Sequence, residues 1–227
     1  MTAPPEDKPA SQKLRAAQEG ESYKFSSVQI QIPPGLAAEI RNYARGFPSL
    51  HWCEAEGGME DDLHITVKYG IHTNDVAVIR KALATYVGPI KFTFGKVAMF
   101  HGPDYEVLYI AVDSPDLVAL NQRIADSVEV TDTHPVYIRH ATIGYLKQGL
   151  GLQYIGEDRF VGMSATVGSV RFSPAVGPDT DLKVTGRDQR GVFAVAQGQP
   201  ELAEDVELVG LLTGAIEGGN EEIVNRI

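Results

Sequence analysis

The sequence predicts an α+β protein: two pseudo-symmetric lobes of antiparallel-type sheet, helices on the outer faces and a central cleft. Three observations predict it. Leu63-His64-Ile65-Thr66-Val67-Lys68-Tyr69-Gly70 and Arg139-His140-Ala141-Thr142-Ile143-Gly144-Tyr145-Leu146 are near-copies of one strand. The elements around each copy recur in the same order, which is the mark of an internal duplication. In both copies alternate positions are apolar (Ile65 and Val67; Ala141 and Ile143), as in a strand with one buried face.

In chain order, residues 1–22 are rich in Pro, Glu, Lys, Gln and Ser and read as a disordered arm. Val28, Ile30 and Ile32 alternate as a strand that Pro33-Pro34-Gly35 closes. Leu36, Ile40, Tyr43 and Ala44 then fall at helical spacing, and a loop from Gly46 to Glu60 containing Trp52 leads to the first His/Thr strand, Asp62 to Gly70. Thr73-Asn74-Asp75 offers capping chemistry to a helix carrying Val76, Ile79, Leu83, Tyr86 and Val87, stopped by Gly88-Pro89. Strands follow at Lys91 to Phe100, interrupted at Gly95, and at Glu106 to Val112, with Gly102-Pro103-Asp104 turning between them. Ser114-Pro115 caps a helix with the stripe Leu117, Leu120, Ile124 and Val128. The second His/Thr strand runs from about Val136 to Leu146.

Each half is therefore strand, helix, His/Thr strand, crossover, then a strand with an internal glycine: Phe94-Gly95-Lys96-Val97 in one, Val167-Gly168-Ser169-Val170 in the other. The domain is expected over 23–186, with repeats at about 26–105 and 106–186. Residues 187–227 form a C-terminal extension outside the repeat, read as an appendage on the domain, a segment that docks a protein partner, or a partly disordered tail.

Composition excludes several classes. The chain has 227 residues, 43% of them hydrophobic, enough for one sizeable core or two lobes sharing one. No apolar run approaches the ~20 residues that span a bilayer, and the N-terminus lacks the apolar core of a secretion signal. The expected location is the cytoplasm, that of a host cell if the chain is phage-encoded, with no membrane partner. A single Cys, Cys53, rules out an internal disulfide framework and any Cys-based metal site. Acidic residues outnumber basic ones 30 to 20, a net charge of −10. Proteins that grip long RNA or DNA gain affinity by neutralising many phosphates, so no long nucleic acid is expected, whereas a small anionic ligand in a locally basic pocket is compatible.

The chemistry lies in the paired His-x-Thr. One such motif carries little information, because about one match is expected by accident among six histidines. Two of them, each in an apolar strand and each followed by Tyr at the fifth position from the His, are a different matter. The other four histidines (His51, His72, His101, His134) lack Ser or Thr two residues on. Strand alternation would bring His64, Thr66 and Lys68 to the cleft with His140, Thr142 and Gly144. Cleaving a phosphodiester without a metal needs a base at the attacking oxygen and an acid at the departing one, and imidazole serves either task. A Thr hydroxyl beside each His can hold a non-bridging oxygen.

The paired motifs resemble those of the two-histidine (2H) phosphoesterases, over roughly Val28 to Gly186. That resemblance implies metal-independent transfer at a phosphodiester, in a group that includes RNA 2',3'-cyclic phosphodiesterases (the 2'-5' RNA ligase-like proteins), 2'-5' oligoadenylate phosphodiesterases and phage enzymes that degrade the cyclic oligonucleotide signals of CBASS immunity. It implies His64 and His140 as the acid/base pair and Thr66 and Thr142 as phosphate holders. The expected substrate is a small cyclic nucleotide or short cyclic oligonucleotide; the alternatives are RNA 2',3'-cyclic phosphate ends, and a non-catalytic nucleotide-binding or virion-associated module. No cofactor is expected, and a zinc site on His64 and His72 would lack helical i, i+4 spacing and any Cys ligand. Lys68 is a candidate for neutralising substrate phosphate. Tyr69 and Tyr145 are candidates for stacking bases, although simple alternation sets them against the helices; Trp52 and Phe100 are weaker ones.

Overall fold

The structure, a computed structural model, describes residues 25–86, 88–132, 134, 136–184 and 193–194. The chain divides into two compact units, 1–196 and 197–227, and the second lies wholly outside the described residues. So do Val87, the arm 1–22 and most of the extension. The described residues form nine strands and three α-helices. These are β1 (Ser26–Gln31), α1 (Pro34–Arg45), β2 (His64–Ile71), α2 (Val76–Leu83), β3 (Ile90–His101), β4 (Tyr105–Asp113), α3 (Pro115–Ser127), β5 (His140–Lys147), β6 (Ser164–Val167), β7 (Ser169–Ser173), β8 (Thr180–Lys183) and β9 (Phe193–Ala194).

The helices begin where the caps predict. Asp75 accepts from the Ala77 amide and Ser114 from the Leu117 amide, while Pro34 and Pro115 occupy first-turn positions where a missing N–H costs nothing. Leu36 and Ile40 of α1, Ile79 and Leu83 of α2, and Leu117, Leu120 and Ile124 of α3 bury the apolar stripes.

All strand pairs are antiparallel, in the order β8-β7-β1-β2-β5-β4-β3-β6-β9. The His/Thr strands are central neighbours, joined at Ile65 and Ala141. Each sequence half sends a late strand to the other half of the sheet: β3 pairs with β4, and β7 pairs with β1. Gly168 is not inside one strand, as the sequence suggests, but between two. It links β6 to β7, which stand near opposite ends of the strand order, so the sheet must curl until those ends approach. Phe193–Ala194, from the segment outside the repeat, adds an edge strand to β6.

The core lies between the sheet and the helices. Val28, Ile30, Ile65, Val67, Leu108, Ile110, Ala141 and Ile143 all fall on that face and are fully buried. Two straps close the central strands from outside the repeat pattern. The segment before β2 pairs with β5 through bridges Trp52 to Leu146 and Met59 to Gly144; the segment before β5 pairs with β2 through Ile71 to Val130. Both close approaches need a glycine. A Cβ on Gly70 would fall 1.9 Å from the Thr131 carbonyl oxygen, and one on Gly144 would fall 2.6 Å from that of Gly58 and 2.7 Å from the Trp52 ring.

Candidate active site

The pairing of Ile65 with Ala141 fixes the site. In an antiparallel ladder its neighbours are then His64 across from Thr142 and Thr66 across from His140, an arrangement with a local two-fold axis. All four side chains are half-buried, on the face opposite the fully buried Ile65 and Ala141. Diagonal neighbours in a regular ladder stand roughly 7–8 Å apart, a spacing that lets two imidazoles flank one phosphorus.

Both imidazoles are held in the same way. Nδ1 of His64 donates to the Asp62 carbonyl at 2.6 Å, and Nδ1 of His140 donates to the Ile138 carbonyl at 2.7 Å. Each therefore bonds the carbonyl two residues before it. With the proton on Nδ1, the nitrogen turned to the cleft is Nε2, a base when the ring is neutral and an acid when it is protonated. The preceding residues repeat as well: the amides of Ile32 and Val112 bond the carbonyls of Leu63 and Arg139, each at 3.1 Å.

One residue past each Thr the ladder slips. Gln29 pairs with Thr66 but Val28 with Lys68; Tyr109 pairs with Thr142 but Leu108 with Gly144. These matched bulges put two successive residues on the core side and shift the next side chains, Tyr69 and Tyr145, to the other face; in β2 a second slip at Gly70 returns Ile71 to the core. They correct the expectation from simple alternation. Lys68 stands with Val28 on the core side, 5% exposed, its ammonium 2.5 Å from Asp132. Tyr69 and Tyr145 come round to the face of the histidines, opposite Ser27 and Val107. Tyr69 is half-buried beside Phe25, and Tyr145 is buried edge-on to Tyr105. Trp52 is not on this face: it fills the slot that Gly144 leaves on the core side and stacks on Phe47 at 5.3 Å.

The walls differ. Beside His140, Phe100 and Tyr109 stack at 4.1 Å and present their rings to the imidazole, with centroids 5.0 and 5.3 Å away. Burial pushes the Tyr109 phenol above its ordinary pKa, so it stays a neutral ring. Val136 and Ile138, both exposed, extend the apolar rim along the run into His140. Beside His64 the neighbours are Gln31 and Gln29 on β1, with Arg171 next to Gln29 on β7. Arg171 bonds Asp181 at 3.0 Å and lies 3.7 Å from Asp62. With its amide turned to satisfy both ends, Gln31 donates to Asp62 at 2.9 Å and accepts from Arg171 at 3.2 Å and Gln29 at 3.3 Å. Sequence reasoning passes over Tyr109 and Arg171, although Tyr109 stands to Thr142 as Gln29 stands to Thr66. Among the described residues no group of three His, Cys, Asp or Glu is clustered as metal ligands, and no helix is long and apolar enough to cross a membrane.

A duplicated antiparallel sheet with His and Thr from each repeat meeting at its centre defines the two-histidine phosphoesterase class. The sequence profile of the 2'-5' RNA ligase superfamily matches residues 32–156, and the chain belongs to that family. It is accordingly an enzyme acting on phosphodiesters. Among solved structures it is similar in fold to TT0787 of Thermus thermophilus, at 12% identity over 72% of this chain and 100% of that one, with a TM-score of 0.50. Usb1 of Kluyveromyces marxianus aligns at 9% identity over 70% and 97% with a TM-score of 0.45, and its structure with uridine monophosphate at 11% over 70% and 98% with 0.42. No curated protein matches the sequence.

Proposed function

We propose that the chain is a metal-independent phosphodiesterase for a small cyclic nucleotide or cyclic oligonucleotide, with His64 and His140 as the acid/base pair. The observation that carries this reading is the shared fixing of Nδ1, which presents two Nε2 atoms to one face across the Ile65–Ala141 pair. In the proposed reaction a water or ribose hydroxyl gives its proton to the neutral Nε2 of one imidazole as its oxygen bonds phosphorus. The bond from phosphorus to the leaving oxygen breaks, and that oxygen takes the Nε2 proton of the other imidazole. The hydroxyls of Thr66 and Thr142 donate to the non-bridging oxygens and meet the charge that grows there.

The lining supports a nucleoside on the His140 side, where the Phe100–Tyr109 stack offers an apolar surface to a base. The net charge of −10 favours a short ligand over a long polyanion. The test is turnover in EDTA of a panel of nucleoside 2',3'-cyclic phosphates, cyclic di- and trinucleotides and RNA with cyclic phosphate ends. Turnover of a small cyclic substrate, lowered by orders of magnitude in both His64→Ala and His140→Ala, is expected. Full activity in either variant, or tight binding across the panel without turnover, would overturn the reading.

A further inference from the structure

Past the Ile65–Ala141 pair the two central strands diverge, and their inner carbonyls are satisfied by different means. On β5 the partner is backbone: the Glu60 amide bonds the Ile143 carbonyl and the Cys53 amide bonds the Tyr145 carbonyl, each at 2.9 Å. On β2 the two carbonyls before the strap bonds at Gly70 are met by side chains. The Tyr137 hydroxyl donates to the Thr66 carbonyl at 2.8 Å, and the Asn121 amide donates to the Val67 carbonyl at 2.6 Å. Both come from the second repeat, Asn121 from α3 and Tyr137 from the run into β5.

Tyr137 has a further distinction, which lies in its neighbours. The next residue, Ile138, holds Nδ1 of His140, and the one after, Arg139, is tied to Val112 through both its carbonyl and its side-chain Nε. Three consecutive residues thus fix Thr66, His140 and β4. Because Thr66 stands across from His140, this phenol ties an acid/base group of one repeat to a phosphate holder of the other, in addition to the Ile65–Ala141 pair. Burial pushes that phenol well above its ordinary pKa, keeping it a hydrogen-bond donor.

We infer that Tyr137 is a positioning residue: through the Thr66 carbonyl it sets the Thr66 hydroxyl against His140. The inference rests on the proposed role of Thr66 for its kinetic consequence, but not for its structural one. Tyr137→Phe keeps the ring and removes only the donor, taking one hydrogen bond from a carbonyl beside the site. A small displacement of a positioning group costs rate more than binding, so kcat should fall about tenfold with KM little changed.

Two measurements test it. In a double-mutant cycle the Tyr137→Phe loss should largely vanish in a Thr66→Val background and persist in Thr142→Val. Hydrogen exchange of the intact chain should show faster exchange over 65–68 in Tyr137→Phe and no change over 141–144. Equal losses in both valine backgrounds, or unaltered exchange over 65–68, would overturn the inference. If the wild-type protein turns over no phosphodiester, the proposed function fails by itself and the exchange measurement still decides whether Tyr137 fixes β2.

Discussion

The two halves of the cleft share a backbone and differ in what lines it. His64 and His140 are held by the carbonyl two residues back, each faces a Thr from the other repeat, and each strand bulges one residue past its own Thr. At matching positions in the neighbouring strands, however, Gln29 answers to Tyr109 and Gln31 to Ala111, and one strand further out Arg171 answers to Ala98. One wall can exchange hydrogen bonds and the other offers stacked rings. The difference teaches that the duplication preserves two imidazoles and two hydroxyls at fixed register, the groups the proposed reaction uses, while the walls beside them diverge in chemistry.

The largest expected effects test the shared part. If the halves are chemically equivalent, His64→Ala and His140→Ala should each lower kcat by about 10²–10⁴-fold, the usual worth of a positioned acid or base. The double variant should be little worse than either single one, because groups that act together in one transition state do not contribute additively. The rate should also describe a bell against pH, since turnover needs one imidazole neutral and one protonated. A single sigmoid would mean that only one of them moves a proton.

The next effect separates the walls. Tyr109→Ala opens the His140 side and disrupts the stack with Phe100, so kcat/KM for a nucleoside cyclic phosphate should fall by about 10–100-fold, as expected for losing 1–3 kcal/mol of base stacking. The same variant should barely affect a ribose cyclic phosphate without a base. Equal losses on the two substrates would place the nucleoside elsewhere.

The repeat, the order of its elements and the His/Thr quartet are legible in the sequence because each rests on local pattern. Strand alternation sorts Ile65, Val67, Ala141 and Ile143 correctly onto the core face. It fails one residue later. A bulge leaves no mark in a period-2 pattern, so alternation assigns Lys68 to the cleft and Tyr69 and Tyr145 to the core, the reverse of the structure. The partners of Trp52 are equally hidden, because the slot it fills exists only where the loop before β2 crosses Gly144 of the other repeat. Nor does any local signal say that β3 and β7 trade places, or that Gly168 joins two ends of a curled sheet.

A smaller effect exploits the one place where the bulges themselves differ. Gly144 and Lys68 are matching positions, yet a Cβ on Gly144 would also fall 2.9 Å from the Met59 Cα, with rigid backbone on two sides. Gly144→Ala should therefore destabilise the fold by about 1–3 kcal/mol, the usual cost of overpacking, lowering the thermal midpoint. Any activity loss should follow from displacement of the strap at 52–60 and β5 together. An unchanged midpoint would mean that the strap can retreat from β5 at no cost, contrary to its backbone bonds at Cys53, Gly58 and Glu60.

Lys68 should give the smallest effect on activity and the clearest test of the bulge. A lysine in the cleft would meet substrate phosphate, and its loss would raise KM most at low salt, where charge attraction is least screened. The structure instead buries its stem against the core and spends its ammonium on Asp132, itself 69% exposed. Lys68→Met keeps the apolar stem and leaves behind only a carboxylate that water can solvate, so kcat, KM and the thermal midpoint should all stay near their wild-type values. Asp132→Ala is the harsher change, because it strands the ammonium in a site only 5% exposed; breaking such a pair from the exposed side costs more than removing the buried charge itself. The order of the two midpoints, Asp132→Ala below Lys68→Met, follows from the bulge, whereas a lysine on the histidine face would reverse it and add a salt-dependent rise in KM to the Lys68 variant.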